Sequence, residues 1–413
     1  VKQDKTTKSG WAFVDETVAQ IFRDEYGKKD DQAILASLAN SAAHSKALAR
    51  LGNLSGFTGF TNNGERKTEV DGAGLYVVKV VDNSNKYTYN VMAAPINFEY
   101  ANNPATLKNA ELAVKRSETR LTKTVNDTDG AVHNGQTVTY TINVKVPSID
   151  PTATNKLFKV TDALTGAEYK KDTVVVKLGD NEINIAPTFD ATNSFELDLS
   201  SLIDDTNSNA GKDVTITYDV LVTSENDKVT NTANVSRTGS ENYSSDSVDL
   251  YEGAITLTKT NDYEKESDKK LLAGAGFNVL DKDGNVLKFV DKGNNNYVLA
   301  KDQTVTTGVV TEVVTGANGQ LVVKGLDKGK YQFKEVTAPE GYSINETNSS
   351  ATLTITGDKA TAEFTADADM RDTEVGALPE TGGIGTTIFT VGGCAIMVAA
   401  AALFFMNKKK HEK

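Results

Sequence analysis

The chain has 413 residues, enough for two to four domains, and its net charge of -12 argues against nucleic acid as a partner. Its one cysteine, Cys394, rules out disulfide stapling, and three scattered histidines (His44, His133, His411) give neither a zinc-type cluster nor a histidine-based catalytic triad. With 38% hydrophobic residues and a mean hydropathy of -0.37, the chain outside its tail reads as soluble and globular, with no cofactor or metal site.

The chain begins at Val1, without initiator Met or signal peptide, so a processed or truncated N-terminus is expected. Helical patterning is confined to the start. Trp11, Val14, Val18, Ile21 and Phe22 fall at helical spacing, and the Ala/Leu-rich stretch from Asp31 to Leu51 keeps that period, with Gly52 as a stop. Asn62-Asn63-Gly64 reads as a turn. From Leu75 onward the pattern is that of strands. Val138, Tyr140, Ile142, Val144 and Val146 alternate with polar residues, as do Val214, Ile216, Tyr218, Val220 and Val222. Such alternation between Gly/Asn/Asp turns describes half-buried strands of β-sandwiches. The expected fold is therefore mainly β: tandem immunoglobulin-like sandwiches, with helices decorating the first.

Leu121-Thr122-Lys123-Thr124 recurs as Leu257-Thr258-Lys259-Thr260. Each echo marks the head of a new β-rich block. The expected units are 1–117, 118–250, 251–375 and a C-terminal segment 376–413. Lys123 shares a strand face with Leu121 and Val125, and Lys259 with Ile255 and Leu257. A lysine on a core face is costly unless something compensates. Period alone leaves open the plainer reading, a solvated lysine on an edge strand.

The tail places Leu378-Pro379-Glu380-Thr381-Gly382 before an apolar run from Ile384 to Met406, followed by Lys408, Lys409, Lys410 and Lys413. About 20 apolar residues cross a bilayer as a helix, and lysines at one end stay cytoplasmic. A transmembrane helix is expected there. This order resembles the cell-wall sorting signal of Gram-positive surface proteins, which implies cleavage by sortase between Thr381 and Gly382 and anchoring to peptidoglycan.

Upstream, Tyr331 to Tyr342 reads YQFKEVTAPEGY, preceded by Gly325-Leu326-Asp327-Lys328-Gly329-Lys330. This resembles the E-box of Gram-positive pilins and collagen-adhesin B-type domains. The resemblance implies an intramolecular isopeptide bond promoted by Glu335, with Lys259 as nucleophile and Asp372, in Met370-Arg371-Asp372-Thr373, as acceptor. The family usually has Asn at that place, so the leaving group here is in question. In the middle block, Phe158 to Leu164 and Val229-Thr230-Asn231-Thr232-Ala233 resemble the second domain of backbone pilins, which implies a triad of Lys123, Asp162 and Asn231. The alternative for the latter two is a turn-capping aspartate and an edge asparagine.

The chain thus resembles backbone pilins of sortase-assembled pili from about Gly64 to its end. That implies polymerisation through Thr381 onto a lysine of the next, identical subunit, with minor or tip pilins and host receptors as further partners and no enzymatic turnover. The family's Tyr-Pro-Lys acceptor motif is absent. Lys115, in Leu112-Ala113-Val114-Lys115, stands in the comparable position, with Lys108 in reserve. A monomeric wall-anchored adhesin of the same modules is the alternative. A wall-anchored enzyme lacks a histidine cluster, a nucleophile elbow and a phosphate loop.

Overall fold

The computed structural model describes residues 2–3, 11–27, 30–37, 45–54, 69–80, 87–89, 91–99, 106–112, 116–118, 120–150, 152–223, 227–238, 240–355, 364–375 and 384–408. Among these the chain is mainly β, as its alternation requires. Three hydrophobic cores follow one another along it.

The first core is helical. Helices Glu16–Tyr26, Asp31–Ser37 and Ser45–Gly52 bury Ile21, Phe22, Ile34, Leu35, Ala47 and Leu48. They pack on a hairpin of Gly74–Val78 and Met92–Ile96. The first helix starts later than the apolar spacing suggests. Asp15 caps it, its carboxylate accepting the Val18 N–H at 2.9 Å. Trp11–Ala12 is instead a short strand, and Val14 is exposed. Capping chemistry, not the apolar period, sets the boundary. Asn62-Asn63-Gly64 lies outside the described residues.

The second core lies between two antiparallel sheets. One orders its strands Asn181–Glu182, Val175–Leu178, Asp213–Val222, Thr137–Lys145, Thr122–Val125. The other runs Thr188–Phe189, Ser194–Asp198, Phe158–Thr165, Lys228–Arg237, Ser240–Tyr251. Every apolar residue counted on the two alternating strands is buried. The third core also lies between two sheets, one of them mixed. One sheet has Phe289–Asp291, Asn296–Leu299, Gln320–Leu326, Gly253–Asn261 and Thr365–Asp372, and the other Glu312–Val314, Gly276–Leu280, Gly329–Thr337 and Ser349–Leu353. Gly253–Asn261 and Thr365–Asp372 are parallel, with Lys259 opposite Met370 and Asn261 opposite Asp372.

The segment after Lys123 joins the second core to the third. Ala131 is fully buried among the residues of the third core. Val132 N–H donates to the Tyr251 carbonyl at 2.9 Å, and Asn134 N–H to that of Gly325 at 3.0 Å. The Asn134 amide donates to the Leu299 carbonyl at 2.6 Å, and Asp129 pairs with Lys328. Gly135 closes this clasp with φ +85°, and a Cβ there would lie 2.1 Å from the Lys301 carbonyl oxygen. Left-handed backbone alone costs a non-glycine residue about 1–2 kcal/mol. Gly135→Ala is therefore expected to lower the melting temperature by several degrees, about 2–4 °C per kcal/mol in a body of this size. Calorimetry checks it, and an unchanged transition would show that the two units melt independently of the clasp.

Ile384–Lys408 forms a helix. Among the described residues, no helix is long and apolar enough to cross a membrane. The expected transmembrane segment falls on this helix, where side chains are described for residues 390–403 alone.

Candidate functional site

Among the described residues two lysines lie buried in the cores, one in each sandwich. Lys123 is 4% exposed and Lys259 is fully buried. The strand period explains both: each shares its inward face with apolar neighbours, so a correctly registered strand must bury the amine.

In the middle sandwich Lys123 comes from the edge strand of one sheet, while Asp162 and Asn231 face it from adjacent strands of the other. Register places Leu164 opposite Asn231 and Asp162 opposite Ala233, so the two polar side chains sit diagonally on one inward face. Lys123 Nζ lies 2.5 Å from Asp162 Oδ2. It also donates to the Tyr218 hydroxyl at 2.5 Å. Tyr218 and Tyr169 each donate to Asp162 Oδ1 at 2.7 Å. Asn231 Nδ2 donates to the Tyr218 hydroxyl at 3.0 Å, while Asn231 Oδ1 is buried without a hydrogen-bond partner. The Tyr140 and Tyr218 rings lie 5.0 and 5.2 Å from Nζ. Burial pushes the Lys123 amine down, against the pull of Asp162. Burial pushes the Asp162 carboxyl up, against Lys123 and the tyrosine hydroxyls. Both displacements favour a neutral amine beside a neutral acid.

In the third sandwich Lys259 and Asp372 lie on neighbouring parallel strands of one sheet, and Glu335 faces them from the other. Lys259 Nζ donates to Asp372 Oδ1. It lies 3.0 Å from Glu335 Oε1 but out of line for a hydrogen bond, so that oxygen has no donor. Glu335 Oε2 accepts the Asn345 N–H at 2.7 Å, and Asp372 Oδ2 is buried without a partner. Burial pushes the Glu335 carboxyl up, against the Asn345 N–H and the nearby Lys259 amine, with the Asp372 charge adding to the rise. Phe277 covers the amine at 5.6 Å.

The structure therefore brings together Lys123, Asp162 and Asn231 in one cluster, and Lys259, Glu335 and Asp372 in another. Sequence reasoning missed Tyr218, Tyr169 and Tyr140 beside the first and Asn345 beside the second. Tyr218 and Tyr140 had been counted among core positions. The available signal was the Tyr218 hydroxyl, because a buried tyrosine usually finds a hydrogen-bond partner; the Tyr140 hydroxyl is buried without one. Lys108 is exposed, and its N–H donates to the Asn97 carbonyl at 2.8 Å. Lys115 and the pentapeptide Leu378, Pro379, Glu380, Thr381 and Gly382 lie outside the described residues.

Residues 253–369 match the SpaA prealbumin-like fold domain, and residues 372–413 match the LPXTG cell wall anchor motif. The chain is 26% identical over 335 residues to the fimbrial subunit type 1 of Actinomyces viscosus, covering 67% of this chain and 62% of that protein. It thus spans less than two thirds of that relative. It is 22% identical over 427 residues to the trypsin-resistant surface T6 protein of Streptococcus pyogenes serotype M6, covering 82% of this chain and 74% of the relative. Among solved structures it is similar in fold to the T6 backbone pilin of serotype M6 Streptococcus pyogenes, described as a modular three-domain structure. The TM-score is 0.51 at 17% identity, over 74% of this chain and 82% of that one. The chain is a cell-wall-anchored surface protein with a prealbumin-like SpaA domain, and its relatives are fimbrial subunits and backbone pilins of Gram-positive bacteria.

Proposed function

We propose that this chain is the structural backbone subunit of a covalent pilus, joined by sortase through Thr381 to a lysine of the next identical subunit and finally to peptidoglycan. It is organised as units 1–117, 118–250 and 251–375 with a sorting signal at 376–413. Minor or tip pilins and host receptors are its further partners. The observation that carries this reading is an anchor motif at the end of a chain whose two sandwiches each bury a first-strand lysine against a carboxyl or carboxamide group. Each core acts once, on itself, with no turnover.

The proposed chemistry is amide formation inside the fold. A neutral amine is a nucleophile and an ammonium is not. In the third sandwich Lys259 Nζ attacks Asp372 Cγ while Glu335, whose protonated form burial favours, polarises the carbonyl and shuttles protons. Of the three ammonium protons, one stays on the new amide and two leave as water with a carboxylate oxygen. In the middle sandwich Lys123 attacks Asn231 Cγ, Asp162 serves as the acid, and ammonia leaves. The packed core holds the reactants in contact, so no encounter has to be made.

These links suit a tensile shaft. A pull that enters at Lys123 passes to Asn231, along the chain to Lys259, and then directly to Asp372 and Thr381. The loops between the linked residues carry no covalent load.

Cell-wall extracts boiled in detergent test the reading. With the matching sortase, a blot against the chain should show a high-mass ladder that Thr381→Ala abolishes. Lys115→Ala should collapse the ladder to one band, and Lys108→Ala should leave it intact. The reverse result moves the acceptor to Lys108. A single band from the unaltered chain favours the monomeric adhesin.

A further inference from the structure

We propose that Tyr218 is a catalytic residue of the middle sandwich: its hydroxyl carries the proton that releases ammonia from Asn231. The inference rests on the reading of Lys123, Asp162 and Asn231 as a bond-forming triad.

The geometry sets Tyr218 apart from its neighbours. Its hydroxyl touches all three members: Lys123 Nζ at 2.5 Å, Asp162 Oδ1 at 2.7 Å and Asn231 Nδ2 at 3.0 Å. Asn231 Nδ2 is the atom that must leave. Its hydrogen-bond partner here is Tyr218, not Asp162. An amide nitrogen is a poor leaving group until it is protonated, and a positioned acid in contact with it supplies that proton. Asp162 holds the proton but is in contact with Lys123 and the two tyrosines, so the route to Nδ2 runs through the phenol. Tyr169 also donates to Asp162 Oδ1, and no bond joins it to the amine or the carboxamide. It serves as a matched comparison.

The step balances. Lys123 enters as ammonium and Asp162 as carboxylate, and one proton moves from Nζ to Asp162. The free amine forms the Nζ–Cγ bond. Tyr218 gives its proton to Nδ2 as the Cγ–Nδ2 bond breaks, and recovers one from Asp162. Nζ then passes a second proton to Asp162. Of the three ammonium protons, one remains on the amide, one has left in ammonia, and one rests on Asp162. Tyr218 ends as it began. The third sandwich has a different arrangement, since Lys259 donates directly to its acceptor Asp372.

The test is a time course of bond formation in the full chain after brief cell-free synthesis, read by mass spectrometry of the tryptic peptide joining Lys123 to Asn231. Tyr218→Phe should slow its appearance by about 100-fold or more, the range for loss of a positioned acid. Tyr169→Phe should change it by less than about threefold, as loss of one neutral hydrogen bond to Asp162 would. The Lys259–Asp372 peptide, followed in the same samples, reports that each variant folds. A Tyr218→Phe chain that links at the unaltered rate overturns the inference and leaves the triad standing. Equal slowing by both variants also overturns it, since the hydroxyls would then act only through Asp162. An unaltered chain that never yields the Lys123–Asn231 peptide removes the triad itself.

Discussion

The intact chain is expected to weigh one water less than its sequence for the Lys259–Asp372 pair, and Glu335→Ala is expected to restore that water. The expectation rests on a fully buried amine in contact with Asp372 Oδ1, with Glu335 Oε1 at 3.0 Å. The two linked residues are 113 apart. Closing a loop of that length is worth about 5 kcal/mol in the chain-entropy model. Losing it should lower the melting temperature of the third sandwich by on the order of 10 °C. The unlinked buried lysine and aspartate should lower it further, because a buried charge with an imperfect partner is costly. Calorimetry and the mass of the joined tryptic peptide read the two effects separately. A full-length mass at this pair in the unaltered chain would remove the claim. Because the acceptor is the carboxylate of Asp372 and not a carboxamide, the loss must be water and not ammonia, which mass resolves directly.

The second large effect is expected at Asp162. Asp162→Ala should abolish the Lys123–Asn231 peptide and return one ammonia to the mass. The linked loop is again on the order of 100 residues, so roughly 4.7 kcal/mol of stabilisation goes with it. Two further losses add to that figure. Lys123 would keep its place in the core, fully buried, without the carboxyl that faces it. The hydroxyls of Tyr169 and Tyr218 would each lose the acceptor they now share. Removing one partner of a buried pair typically costs about 3–5 kcal/mol. The middle sandwich of this variant should therefore melt well below that of Glu335→Ala. Should Asp162→Ala still form the peptide, the acid is another group, and Tyr218 is the one in contact with both reacting nitrogens.

Local pattern and short motifs determined much of this protein. The period-two alternation around Tyr140 and Tyr218 is enough to place the strands and their buried faces, because a pleated strand has only two sides. The same rule set Lys123 and Lys259 on faces shared with apolar residues, but left open an edge strand with a solvated amine. The run from Tyr331 to Tyr342 singled out Glu335, and Leu378 to Gly382 with its tail singled out the anchor. What the chain alone could not decide is which groups meet across the gap between sheets. Asp162 and Asn231 come together with Lys123 through a register between strands far apart in sequence, and no local period reports that register. Tyr218 looks like any core aromatic until its hydroxyl is found among Lys123, Asp162 and Asn231. The clasp of Ala131 and Gly135 is likewise invisible in sequence, since its partners Tyr251, Lys301 and Gly325 belong to another core. Strand faces follow from the geometry of each residue and its neighbours, whereas the contacts that make chemistry follow from packing two sheets together, which only the tertiary structure decides.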